Sequence, residues 1–90
     1  MKQVTVRNML SEKTGKAIPN QFVIYTDDAT YFQSYDSIIA KRTSEYLMLD
    51  SRYYNYSNTT SKYRNKFTGL TTAETKKAIK EGKIILANLN

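Results

Sequence analysis

Ninety residues with 40% hydrophobic side chains leave room for one modest core, and the absence of cysteine leaves that core without a covalent staple. With no histidine either, Ser-His and Cys-His nucleophiles and thiolate zinc sites are excluded. The formal charge of +6 is lopsided. Residues 1–50 balance Lys2, Arg7, Lys13, Lys16, Lys41 and Arg42 against Glu12, Asp27, Asp28, Asp36, Glu45 and Asp50. Residues 51–90 set Arg52, Lys62, Arg64, Lys66, Lys76, Lys77, Lys80 and Lys83 against only Glu74 and Glu81, so the excess lies in the C-terminal half. Such an asymmetry attracts polyanions or an acidic protein face; the plainer reading is that lysines keep two short helices hydrated. No apolar run approaches the roughly 20 residues of a membrane span, and the first four residues lack the apolar stretch of a signal peptide. The expectation is a chain of the cytoplasm, without membrane or cofactor.

In chain order, Gln3–Arg7 alternates polar with β-branched residues and predicts a strand with Val4 and Val6 facing the core. Gly15 and Pro19 mark a polar loop over residues 11–20. Gly15-Lys16 lacks the glycine spacing and following hydroxyl of a phosphate loop. Residues 21–26 form an apolar run expected of a strand buried on both faces. Asp27-Asp28-Ala29 is a turn, since two adjacent carboxylates are too few ligands for a hard cation, and residues 30–35 complete a β-hairpin. Residues 36–42 read as a bent strand or a capped helical turn, the bent strand being preferred. Tyr46–Leu49 predicts another short strand.

The aromatic and hydroxyl-rich stretch from Tyr53 to Leu70 follows. In extended chain Tyr54 and Tyr56 share one face and Tyr53 the other. Ser57 to Thr60 are all competent N-caps, and Tyr63, Phe67 and Leu70 at i, i+4 and i+7 predict the core face of a helix ended by Gly69, with Lys62 and Lys66 outside. Thr71-x-x-Glu74 is a capping box that opens a second helix ended by Gly82. Ile84–Leu86 is a last strand or an apolar tail. The expected fold is α+β: one domain over residues 1–90, with a small antiparallel meander of three to five strands (1–56) packed against two short C-terminal helices (57–82), and a tail or strand (83–90).

Catalysis would have to rest on carboxylates, with Asp36 and Asp50 the central candidates, but aspartates at strand ends are commonly turn formers. Binding is the better class, and the chain reads as non-enzymatic. Arg52, Tyr53, Tyr56, Lys62, Arg64 and Lys66, with Lys76, Lys77 and Lys80 on the second helix, combine faces for stacking bases with cations for phosphates. The same types populate protein interfaces, and the helix start at Ser57–Ser61 could favour a small anionic nucleotide. A short exposed edge strand would favour a homodimer.

Tyr31–Ala40, Leu49-Asp50, Tyr56–Phe67 and Glu74–Gly82 together resemble a family of small proteins encoded by phages and prophages of Gram-positive bacteria. The resemblance implies a viral accessory protein in the cytoplasm of a bacterial host, and carries no functional residues over. The first expectation is therefore an inhibitor that occupies a host protein or nucleoprotein complex, as an anti-CRISPR protein does. The second is a DNA- or RNA-binding protein of phage replication or packaging.

Overall fold

A computed structural model describes residues 3–90; Met1 and Lys2 lie outside the described residues. Six strands and two helices follow in the order β1 (Thr5–Leu10), β2 (Ala17–Tyr25), β3 (Thr30–Ser34), β4 (Ser37–Arg42), β5 (Leu47–Asp50), α1 (Asn58–Thr68), α2 (Thr72–Lys80) and β6 (Ile84–Ala87). All six strands join one sheet in sequence order. The first five form an antiparallel meander, whereas β6 lies parallel to β5. A parallel return needs a long crossover, and the two helices supply it. The fold is thus α+β with one strand more than expected. Ile84–Leu86 is strand rather than tail, because pairing with β5 satisfies its backbone groups and buries Ile84.

The turn at residues 27–29 forms as its sequence predicts, with Thr26 donating to the Ala29 carbonyl at 2.9 Å and accepting from the Ala29 amide. Three other expectations are corrected. Val4 and Val6 are exposed, and Met9 anchors β1 instead: Val6 pairs with Ile24 on the face that no helix covers, and Met9, three residues on, points by alternation to the other face. The loop before β2 ends at Lys16, since Ala17 already pairs with Leu10. Residues 36–42 do not continue β3 through a bend: the chain reverses at Tyr35-Asp36, and Ser34 pairs with Ser37. A bulge two residues later puts consecutive Ile39 and Ala40 both in the interior.

Only one face of the sheet is covered by helices. The cross-strand row Val23, Phe32, Ala40, Leu49 points toward them, and Phe32, Ala40 and Leu49 join Met9, Ile39, Phe67 and Ile84 in the core. Val23 is only half-buried and Phe22 and Ile24 point to the opposite face, so β2 is not buried on both sides as its apolar run predicts. Helix α1 docks near both of its ends, at Thr60 and at Phe67. Thr60 meets Ser34 at 3.4 Å, Phe67 stacks on Phe32 with centroids 5.8 Å apart, and Arg42 lies 4.4 Å over the Phe67 ring while donating to its carbonyl at 2.8 Å. Its ends are set locally. Ser57 accepts from the Thr60 amide, and Gly69 takes the left-handed conformation that a side chain would resist. The capping box of α2 is complete in both directions.

The inward face of α1 is Thr60, Arg64 and Phe67, not the predicted Tyr63, Phe67 and Leu70; Tyr63 and Leu70 are half-buried at its flank. Arg64 is 0% exposed. Its Nη1 donates to the Tyr54 carbonyl at 2.5 Å, and its Nη2 to Asn65 Oδ1 at 2.9 Å and Thr72 Oγ1 at 3.3 Å. One guanidinium therefore ties the turn before α1 to the start of α2. Burial pulls its pKa below the usual arginine value, with the Tyr54 hydroxyl acting the other way. Arg64→Ala empties this volume and orphans the Tyr54 carbonyl, so a loss of about 2–4 kcal/mol is expected. The urea midpoint should fall accordingly. Arg64→Lys should recover only part of it, because an ammonium cannot reproduce the planar fork.

Candidate functional site

Eight of the nine residues proposed from sequence fall in three places on the surface and do not converge. Arg52, Tyr53 and Tyr56 lie in the turns between β5 and α1; Lys62 and Lys66 lie on the outer side of α1; Lys76, Lys77 and Lys80 lie exposed on α2. Arg64 leaves the surface set altogether, because burial removes it from any partner. Its position four residues after Thr60 and three before Phe67 marks it only if Thr60, rather than Tyr63, is taken to start the buried stripe.

The larger depression, about 680 Å³, separates the β1–β2 loop from α1. Lys13 stands on the loop side and Lys62 and Lys66 on the helix side, above an apolar floor of Ile18, Tyr63 and Leu70. Lys62 lies 5.3 Å from the Tyr63 ring centroid, and Lys66 reaches across to donate to the Leu10 carbonyl. Helix α1 contains no acidic residue, so along this wall only cations and neutral groups are presented. Glu12 is the one carboxylate lining the groove. Lys13 was missed by sequence reasoning because its half of the chain is charge-balanced; the fold carries it across to the basic half.

A second cavity of about 470 Å³ lies at the start of α1, between it and the β3–β4 turn. Tyr53 and Tyr56 meet edge to face at 5.9 Å, Arg52 sits 5.7 Å from the Tyr53 ring, and Tyr56 is 73% exposed. The expected extended run is absent here: residues 51–56 are successive turns, which place Tyr53 and Tyr56 together rather than on opposite faces. Tyr35, expected at the end of a strand, instead stands in the β3–β4 turn and joins them with φ of 55° and an exposed ring. Asp36 lines the same cavity, so it is not a site for anions alone.

Asp50, the other carboxylate considered for catalysis, is engaged by the backbone. Its Oδ2 accepts from the Arg52 and Tyr53 amides at 3.1 and 2.8 Å, and its Oδ1 accepts from Leu89 at 2.8 Å. Burial pushes its pKa up, but the amides of Leu89, Tyr53 and Arg52 and the Asn90 side chain outweigh this and hold it below the ordinary aspartate value. Among the described residues no group of three or more acidic side chains is placed to hold a metal ion.

Residues 4–85 match a family of unknown function, DUF8033. The chain belongs to this family. No curated protein and no solved structure matches it. The match spans β1 through the first half of β6, so both cavities fall within the shared region.

Two outcomes follow from these placements. A carboxylate whose folded pKa is depressed contributes fully above the unfolded value of about 3.9 and loses that contribution as pH falls through the folded pKa. Asp50→Asn is therefore expected to cost about 1–3 kcal/mol at neutral pH, with the gap from wild type narrowing below about pH 4, as read by denaturation at several pH values. Tyr35 occupies backbone space suited to glycine, so Tyr35→Gly should raise stability by about 0.5–1 kcal/mol. A thermal melt decides it.

Proposed function

We propose that this is a non-catalytic binding protein that takes a nucleic-acid strand, free or within a nucleoprotein complex, in the groove between the β1–β2 loop and α1. The observation that carries the reading is the grouping of Lys13, Lys62 and Lys66 around an apolar floor containing Tyr63. Cations neutralise phosphates and release counterions, while an aromatic and aliphatic floor accepts base or sugar faces. Exposed Lys76, Lys77 and Lys80 on α2 add to the attractive field on the helical side of the molecule.

The resemblance to phage and prophage proteins supports a more specific version, in which the protein acts in the cytoplasm of a bacterial host and occupies the nucleic acid of a host defence complex. A basic inhibitor cannot mimic DNA and must instead touch guide RNA, target DNA or an acidic protein face. A role in phage replication or packaging would use the same groove. No helix among the described residues is long and apolar enough to cross a membrane.

Fluorescence anisotropy with labelled single-stranded oligonucleotides over a salt series tests the reading. Binding should weaken with salt, and each of Lys13→Ala and Lys62→Ala should lower the slope of log K against log salt by about 0.7 for a single strand. Lys66 is left intact because it also holds the loop. Absence of binding at low salt, or slopes that neither substitution moves, would sink the proposal.

A further inference from the structure

The face of the sheet turned away from the helices does not look like a solvated face. One-sided antiparallel sheets ordinarily place polar residues there. Here a single cross-strand row runs through all six strands as Val6, Ile24, Tyr31, Lys41, Met48 and Ile85. The next row on this face, Asn8, Phe22, Gln33 and Ile38, adds two further apolar residues among two uncharged polar ones. None of these apolar residues belongs to the core cluster or packs against it. Val6 and Ile85 remain 57% and 45% exposed. The row has one charge, Lys41, whose ammonium lies 5.7 Å from the Tyr31 ring centroid.

We propose that this face is the interface of a homodimer, two copies packing sheet against sheet with their helices outward. Three observations favour a second copy as the occupant. The first is size. Six strands at a spacing of about 4.8 Å, with about five residues each at about 3.3 Å, offer a face of roughly 29 by 16 Å. Two such faces reach about 1,000 Å² even before side-chain relief is counted, which is the area a specific interface needs. The second is self-complementarity. A row that is apolar but for Lys41 and spans the sheet from edge to edge meets its own two-fold image without burying an unpaired carboxylate, and aligned sheets of this kind pack about 10 Å apart. The third is charge. Lys62, Lys66, Lys76, Lys77 and Lys80 all lie on the helices, so a sheet-to-sheet dimer separates the two basic layers by the roughly 10 Å between sheets plus a helix layer on either side. That exceeds the roughly 8 Å Debye length at physiological salt. Packing through the helices would instead bring like charges together.

The arrangement leaves both basic grooves free on opposite outer surfaces. If the reading of the groove holds, the dimer is bivalent for nucleic acid, but the dimer does not depend on that reading. Sedimentation velocity at micromolar concentrations, without nucleic acid, tests it alone: a species of twice 10.4 kDa that dissociates on dilution is expected, and a monomer throughout would overturn the proposal. Val6→Glu combined with Ile85→Glu should give a monomer with unchanged far-UV circular dichroism, as both sites are exposed in the single chain. Persistence of the dimer in that variant would overturn it. Should the double variant fail to fold, the single variants Val6→Lys and Ile85→Lys should each raise the dimer dissociation constant at least tenfold; unchanged constants in both would equally refute the sheet-face interface.

Discussion

Burial of the Arg64 guanidinium is the constraint on which the helical half of the molecule depends. A cation taken fully out of water needs acceptors around it, and Nη1 and Nη2 find them on Tyr54, Asn65 and Thr72, while the buried Nε is left without a partner. Those three partners belong to the turn before α1, to α1 itself and to the first residue of α2. With them fixed, the crossover from β5 to β6 has a defined length and direction, and β6 can pair in parallel with β5. Asp50 completes the junction from the other side, gathering the amides of Arg52, Tyr53 and Leu89 around one carboxylate. One buried cation and one buried carboxylate are thus the internal fasteners of this region.

The helical layer and the bare sheet face divide the surface by chemistry. Lysines ride on the helices, where a long aliphatic stem can lie over an apolar floor while the ammonium stays in water; Lys62 against Tyr63 is one case. The opposite face carries β-branched, aromatic and thioether side chains that the core cannot use, because a two-layer molecule only 21 Å thick has nothing with which to cover them. The groove proposed for nucleic acid and the face proposed for dimerisation therefore lie on different surfaces.

The β3–β4 turn shows how the same fold spends stability locally. Tyr35 is held at a positive φ by pairing of Ser34 with Ser37 and by its amide donating to Asn20 at 2.7 Å. Its ring is thereby presented beside Tyr53 and Tyr56, where a glycine would present nothing. Strain kept in place by surrounding hydrogen bonds is common at working surfaces. The tyrosine cluster is a second surface of interest beside the groove.

Local signals were legible wherever the physics is local. The 27–29 turn, the Ser57 cap, the Thr71–Glu74 capping box and the glycine stops at Gly69 and Gly82 depend on residues within a few positions of each other, and the sequence alone determined them. It also determined the α+β class and the basic excess of the C-terminal half. Only the tertiary structure decided which side of each element faces inward. An arginine on the buried stripe of α1, a bulge that turns Ile39 and Ala40 the same way, and exposed valines on β1 all result from partners distant in the chain. The groove has the same origin: Lys13 and Lys62 come from opposite halves of the sequence, and their common field exists only once the β1–β2 loop folds against α1.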